Sequence, residues 1–185
     1  PRDREFAQIS YDYTYRHTSE NHRQWLQQLP QMIVLTWRGR TLLLCHGSPD
    51  RVNEFIWATE TDDSQIQTFL TDHNVDGICA THTGLPWVRT VTNPNGFWFN
   101  VGVLGRPAHE GKRHVYYGCL TFPQHTTRPT PELVPLAYDI DAVTTAMRLE
   151  GLPQEFITSL EQGVWTTCSE ILPTAEKSVQ PRVTV

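Results

Sequence analysis

The sequence predicts a mixed α/β fold of the α+β kind, on three observations. Helical and β-rich segments alternate along 185 residues without an internal repeat. Two short apolar runs, 41–45 and 76–80, are bounded by turn signals in the way buried strands are. Each empties into a loop carrying a histidine, His46 and His82, which is where sheet proteins place chemistry.

The elements follow in order. Residues 21–29 read as a helix, with Ser19 as cap, Trp25, Leu26 and Leu29 on one face, and Pro30 as its stop. Residues 32–37 and 41–45 form a hairpin through Arg38-Gly39, and the second strand reads as fully buried before His46-Gly47-Ser48-Pro49. Asp62 or Asp63 caps a helix carrying Ile66, Phe69 and Leu70 at i, i+3 and i+4. Residues 76–80 are a short buried strand ending in Thr81-His82-Thr83-Gly84. Residues 87–92 and 97–99 are strands around the turn Asn93-Pro94-Asn95-Gly96. A loop over 100–111 leads to a strand over 114–122, after which Pro123, Pro129, Pro131 and Pro135 predict a stiff connector. Two helices follow, one from Asp141 to Gly151 with Val143, Ala146 and Met147 apolar, the other from Pro153 to Gly163. The last twelve or so residues read as irregular.

Length and composition bound the function. A chain of this size is one domain and buries roughly 70% of its extended surface, so it needs no staples. Its four cysteines, Cys45, Cys79, Cys119 and Cys168, contain no C-x-x-C pair and read as buried thiols of a cytoplasmic protein. Residues 1–5 are too charged for a signal peptide, and no run is long and apolar enough for a membrane span. With 15 Lys+Arg against 20 Asp+Glu, a net charge of -5, the chain lacks the diffuse positive field on which general nucleic-acid binders rely.

Three blocks carry a resemblance. His46-Gly47-Ser48-Pro49, then Thr81-His82-Thr83-Gly84-Leu85-Pro86, then Asn100-Val101-Gly102-Val103-Leu104-Gly105-Arg106-Pro107 resemble, in order and spacing, the last three blocks of the calcineurin-like metallophosphoesterase family. These are H-G, G-H-T-H-x-P and N-x-G-S-x-G-x-P. The resemblance covers residues 11–122 and is of the bacterial phosphodiesterase type. It implies a β-sandwich flanked by helices in αββα layers, with residues 1–122 as the C-terminal portion of the metallophosphoesterase domain. Residues 123–185 are then the Pro-rich connector and a helical extension packed on the same domain.

The family's earlier blocks, D-x-H, G-D and G-N-H/D, have no counterpart here. The resemblance therefore implies an incomplete, C-terminal part of a longer protein, whose missing N-terminal part is its first partner. For that parent it implies hydrolysis of a phosphoester, in particular a phosphodiester, of a small molecule or nucleotide, at two divalent transition metal ions (Mn, Fe, Ni, Co or Zn). The fragment alone is expected to be inactive. His46 and His82 are the expected ligands of site two, while Gly84 stands where the family has its second histidine and weakens site one. Two metal ions are what this chemistry asks for, because they hold hydroxide at neutral pH and neutralise charge on the phosphoryl oxygens. Imidazole nitrogens suit borderline transition metals. If both rings bind one ion, their ligating nitrogens lie about 3 to 4 Å apart.

Asn100, Arg106, Thr81 and Thr83 are candidates for binding substrate or supporting these loops. Thr81 or Thr83 can hold an imidazole in place, Asn100 suits orienting loop backbone, and Arg106 is either a phosphate ligand or a solvated loop arginine. Gly47 lets the backbone turn sharply beside a metal. A Cys2His2 zinc site from Cys45, His46, Cys79 and His82 is the competing metal reading, disfavoured because successive strand residues point to opposite faces. His17, His22, His73, His109, His114 and His125 sit in polar contexts as surface residues, of which His109 and His114 keep some reach to phosphate. Trp98 reads as strand packing. The alternative function is a non-catalytic interaction module that retains the scaffold.

Overall fold

The computed structural model of the chain describes residues 2–91, 96–123, 129–177 and 182–184. Residues 93–95 of the predicted turn, and His125, lie outside them. Two helices open the chain, α1 (Arg2–His17) and α2 (Glu20–Gln27). The hairpin β1 (Met32–Trp37) and β2 (Arg40–Cys45), the helix α3 (Asp63–Asp72) and the strands β3 (Gly77–Ala80), β4 (Trp87–Thr90) and β5 (Phe97–Asn100) follow. Then come β6 (Val115–Thr121), β7 (Thr130–Leu136), α4 (Ile140–Leu149), α5 (Gln154–Gln162) and β8 (Arg182–Thr184).

Local chemistry explains where the helices start and stop. The Ser19 hydroxyl accepts from the His22 amide, the Asp62 carboxylate from the Gln65 amide and the Asp139 carboxylate from the Ala142 amide, each satisfying one orphan donor of a helix N-terminus. Gly163 ends α5 in the left-handed conformation.

The main sheet has the order β1-β2-β3-β5-β4-β8, and β2, β3 and β5 run parallel, so their C-terminal ends share one edge. Strand alternation splits its side chains between two layers. Leu43, Ile78 and Trp98 pack with Ile66, Phe69 and Leu70 of α3 on one face. Leu42, Leu44, Cys79, Phe97 and Phe99 face the hairpin β6-β7, meeting Leu120 and Leu133. The hairpin lies so close that a Cβ on Gly118 would come within 2.6 Å of Val101 and 2.7 Å of Phe99. Two sheets face to face with helices outside form the expected mixed α/β sandwich. Trp98 is fully buried between Phe69 and Trp87, as packing.

Three expectations are corrected, and one helix had no expectation. Within the Pro-rich segment, residues 130–136 form a strand where a connector is expected: they pair with β6 along all seven positions, with Pro131 and Pro135 tolerated on an edge strand that needs no donor there. Strand β2 is only half-buried at its ends. The irregular C-terminus contains β8, which pairs with β4 in parallel. Helix α1, for which the sequence analysis offers no element, buries only Phe6 and has the alternating run Tyr11-Asp12-Tyr13-Thr14-Tyr15, a period of two that hides a helix. Its signals were the end charges, Asp3 and Glu5 in the first turn and Arg16 and His17 in the last. Among the described residues no helix is long and apolar enough to cross a membrane.

Candidate functional site

Strands β2 and β3 are hydrogen-bonded neighbours, and the loops leaving their C-terminal ends are stitched together by the Thr81 amide donating to the His46 carbonyl at 3.1 Å. This stitch sets the two imidazoles side by side. His82 Nδ1 lies 3.0 Å from His46 Nε2, with the ring planes inclined at 63°. His82 sits in a three-residue turn closed by Thr83 N–H to the Thr81 carbonyl, and its φ of 45° is a left-handed conformation that a non-glycine residue adopts only under constraint. Phe55 lies against its ring at 4.4 Å. The other nitrogen, Nε2, is buried and finds no hydrogen-bond partner among the described residues. Burial, and then the neighbouring His46, pushes the His82 pKa below the usual histidine value, with the Asn53 backbone opposing. His82 is therefore neutral at pH 7, the state in which imidazole donates a lone pair.

The supporting residues act through backbone. Asn100, fully buried at the end of β5, donates from Nδ2 to the Thr81 carbonyl at 2.9 Å and accepts at Oδ1 from the Gly102 amide at 3.0 Å. The Thr81 hydroxyl donates to the Gly102 carbonyl, and the Thr83 hydroxyl both accepts from the Ile56 amide and donates to the Ile56 carbonyl. Among the described residues neither hydroxyl hydrogen-bonds to an imidazole, where the expectation had one of them hold a ring. Gly47 does not adopt a left-handed turn; it is needed for space, since a Cβ there would come within 2.6 to 2.7 Å of backbone atoms of Arg51, Val52 and Glu54.

Arg106 is not a solvated loop arginine. Its guanidinium lies over the Trp165 ring, 3.8 Å from the centroid, and donates to the Thr167 carbonyl. No carboxylate of the described residues lies within ion-pair distance of it, and burial pulls its pKa below the usual arginine value. Trp165, which the sequence analysis did not select, is buried and donates from Nε1 to the Pro107 carbonyl at 2.6 Å. It also fills the space beside Gly84. That residue has φ +80°, and a Cβ built on it would lie 2.9 Å from the indole. The position at which the resembling family has a second histidine is thus closed by both backbone and packing. Gly84→His is accordingly expected to cost at least about 2 kcal/mol in chemical denaturation rather than to rebuild a ligand. Unchanged stability would show that the indole yields.

His109 and His114 do not join the pair. His109 Nδ1 accepts from the Trp165 amide at 2.7 Å, and His114 lies 3.1 Å from the buried Glu110 carboxylate. Burial, then the Arg106 charge, lowers the His109 pKa. Below the ordinary histidine pKa of about 6.5, the unfolded chain takes up a proton that the folded protein refuses. Stability contributed at His109 is therefore present above that pH and lost as pH falls through the folded pKa. Melting temperature is expected to drop between about pH 7.5 and pH 5, and His109→Asn to drop less; equal losses would remove His109 from the account.

The nitrogen separation suits a shared metal ion. Two donors at about 2.1 Å from one ion and at right angles lie about 3.0 Å apart, so His46 and His82 fit as a pair on a borderline transition metal. The rest of a ligand shell is not supplied: among the described residues no group of three or more His, Cys, Asp or Glu side chains can hold an ion. The Cys2His2 arrangement is excluded on geometry, because Cys45 packs with the α3 face and Cys79 with the hairpin face. Burial pushes both thiols up to about 12.

Solved structures share this arrangement of sandwiched sheets. The chain is similar to a metallophosphoesterase from Sphaerobacter thermophilus, at 21% identity over 82% of this chain and 66% of that one, with a TM-score of 0.63. It is also similar to a hypothetical protein from Pyrococcus horikoshii, at 17% identity over 83% of this chain and 59% of that one, with a TM-score of 0.69. No protein-family model and no curated protein matches the chain. The chain shares its fold with these two structures and spans 59% and 66% of their lengths.

Proposed function

We propose that this chain is the C-terminal part of a metal-dependent phosphoesterase, of the phosphodiesterase type, acting on a small-molecule or nucleotide ester at a dinuclear centre. The observation that carries the reading is the 3.0 Å approach of His82 Nδ1 to His46 Nε2 at the ends of adjacent parallel strands. A divalent transition ion there would neutralise phosphoryl charge and lower the pKa of bound water. The chain's own part is to hold two imidazoles at one point: Asn100 and Thr81 fix the loops, and Phe55 covers one ring. Gly84 and Trp165 leave the first site without a histidine, so that site draws on oxygen donors and favours Mn or Mg.

The remaining donors belong, in this proposal, to an N-terminal part of the same protein. Strand β1 supports it. All six of its residues are exposed, among them Ile33, Val34, Leu35 and Trp37, and they continue into exposed Trp25, Leu26 and Leu29. An apolar edge strand of this kind is a template for another strand unless it is covered. The test is hydrolysis of a chromogenic phosphodiester with Mn. The product of the coding sequence extended upstream of Pro1 is expected to turn over and the 185-residue chain is not. Turnover by the 185 residues alone would overturn the division of ligands, and an inert extended product would favour the non-catalytic module.

A further inference from the structure

A cleft of about 960 Å³ opens between α1, α4, α5 and the two histidine loops, with His46, His82 and Arg106 in its lining. The size is that of a small-molecule site, and so is the lining, mainly apolar with a few convergent polar groups. Phe6, Tyr13, Met147, Phe156 and Leu160 supply the apolar part, with the Phe6 and Phe156 rings 5.7 Å apart. Arg106 is the group the fold does not explain by itself. A half-buried cation normally has a carboxylate. The groups whose fields reach it are the Cys168 side chain, which is within hydrogen-bonding reach, and then Asp3, which accepts from the Cys168 and Glu170 amides through its two oxygens. Trp165 fixes the guanidinium plane from one side, and a planar fork held in this way suits the oxygens of a phosphate.

We propose that this cleft takes a phosphoric ester bearing a bulky apolar group, with Arg106 receiving the anion and the α1–α4–α5 wall receiving the apolar part. The proposal rests on the phosphoester reading for the direction in which the ester group lies, toward His46 and His82. Small polar esters then leave most of the cleft unused, and affinity comes from the hydrocarbon.

Calorimetric titration of the 185-residue chain with methyl, butyl, hexyl and octyl phosphate tests it without requiring turnover. The dissociation constant is expected to fall up to about fourfold for each methylene that becomes buried. Arg106→Gln is expected to raise it at least tenfold for every member of the series, with the chain-length dependence kept. Met147→Glu, on the cleft wall, is expected to flatten that dependence, and Arg106→Lys gives a second reading of the anion contact should Arg106→Gln not fold. Equal affinity along the series, or an Arg106→Lys or Arg106→Gln protein that binds octyl phosphate as the parent sequence does, would overturn the proposal. Alkyl phosphate binding by a protein whose extended form hydrolyses nothing would instead uphold the cleft and remove the phosphoesterase.

Discussion

His82→Ala in the extended protein is expected to lower Mn-dependent phosphodiester hydrolysis by at least about 10²- to 10³-fold, the scale on which losing one group that stabilises transition-state charge is felt. The side chain's contacts are with His46, the Phe55 ring and the Asn53 backbone, so its removal takes away the nitrogen donor that faces His46. The backbone adds a complication, because φ of 45° at this position disfavours alanine. His82→Asn, which tolerates the left-handed region, separates the two effects. Both variants should lose the tighter of two calorimetric metal-binding events, and so should His46→Ala. Two equal events surviving in His82→Asn would mean that another donor completes the second site.

Trp165→Ala is expected to cost about 3–5 kcal/mol in urea or guanidinium unfolding, the range for deleting a buried large aromatic. The indole buries its surface with Trp57, Leu85 and Leu172, hydrogen-bonds Pro107, stacks under Arg106 and closes the space beside Gly84. Trp165→Phe keeps most of the packing and loses the Nε1–H bond, so it should recover more than half of the loss. Retention of full stability by Trp165→Ala would contradict the role given to the C-terminal segment in shaping the site.

What the sequence made legible was whatever depends on neighbours in the chain. Caps at Ser19 and Asp62, the period of α3 and the apolar runs of β2 and β3 are local patterns, and parallel pairing of those two strands then brings His46 and His82 together. What it hid depends on contacts across many positions. The Arg106 guanidinium meets Trp165 across 59 positions of sequence, and nothing around Gly163-Val164-Trp165 announces a stacking partner. Asp3 reaches Cys168 from the other end of the chain. Strand β7 was hidden by its prolines, which signal a connector until an edge position makes them harmless. Gly84 was legible as a departure from the family pattern, but not the indole that makes the departure irreversible by a single substitution.

The central claim is that the His46 and His82 nitrogens share one ion, and anomalous scattering tests it most directly. Crystals of the extended protein grown with Mn, with data collected on both sides of the metal's absorption edge, should show an anomalous peak about 2.0 to 2.2 Å from both His46 Nε2 and His82 Nδ1. A peak bound by only one of the two rings, or metal bound elsewhere with the two imidazoles still hydrogen-bonded to each other, would contradict it.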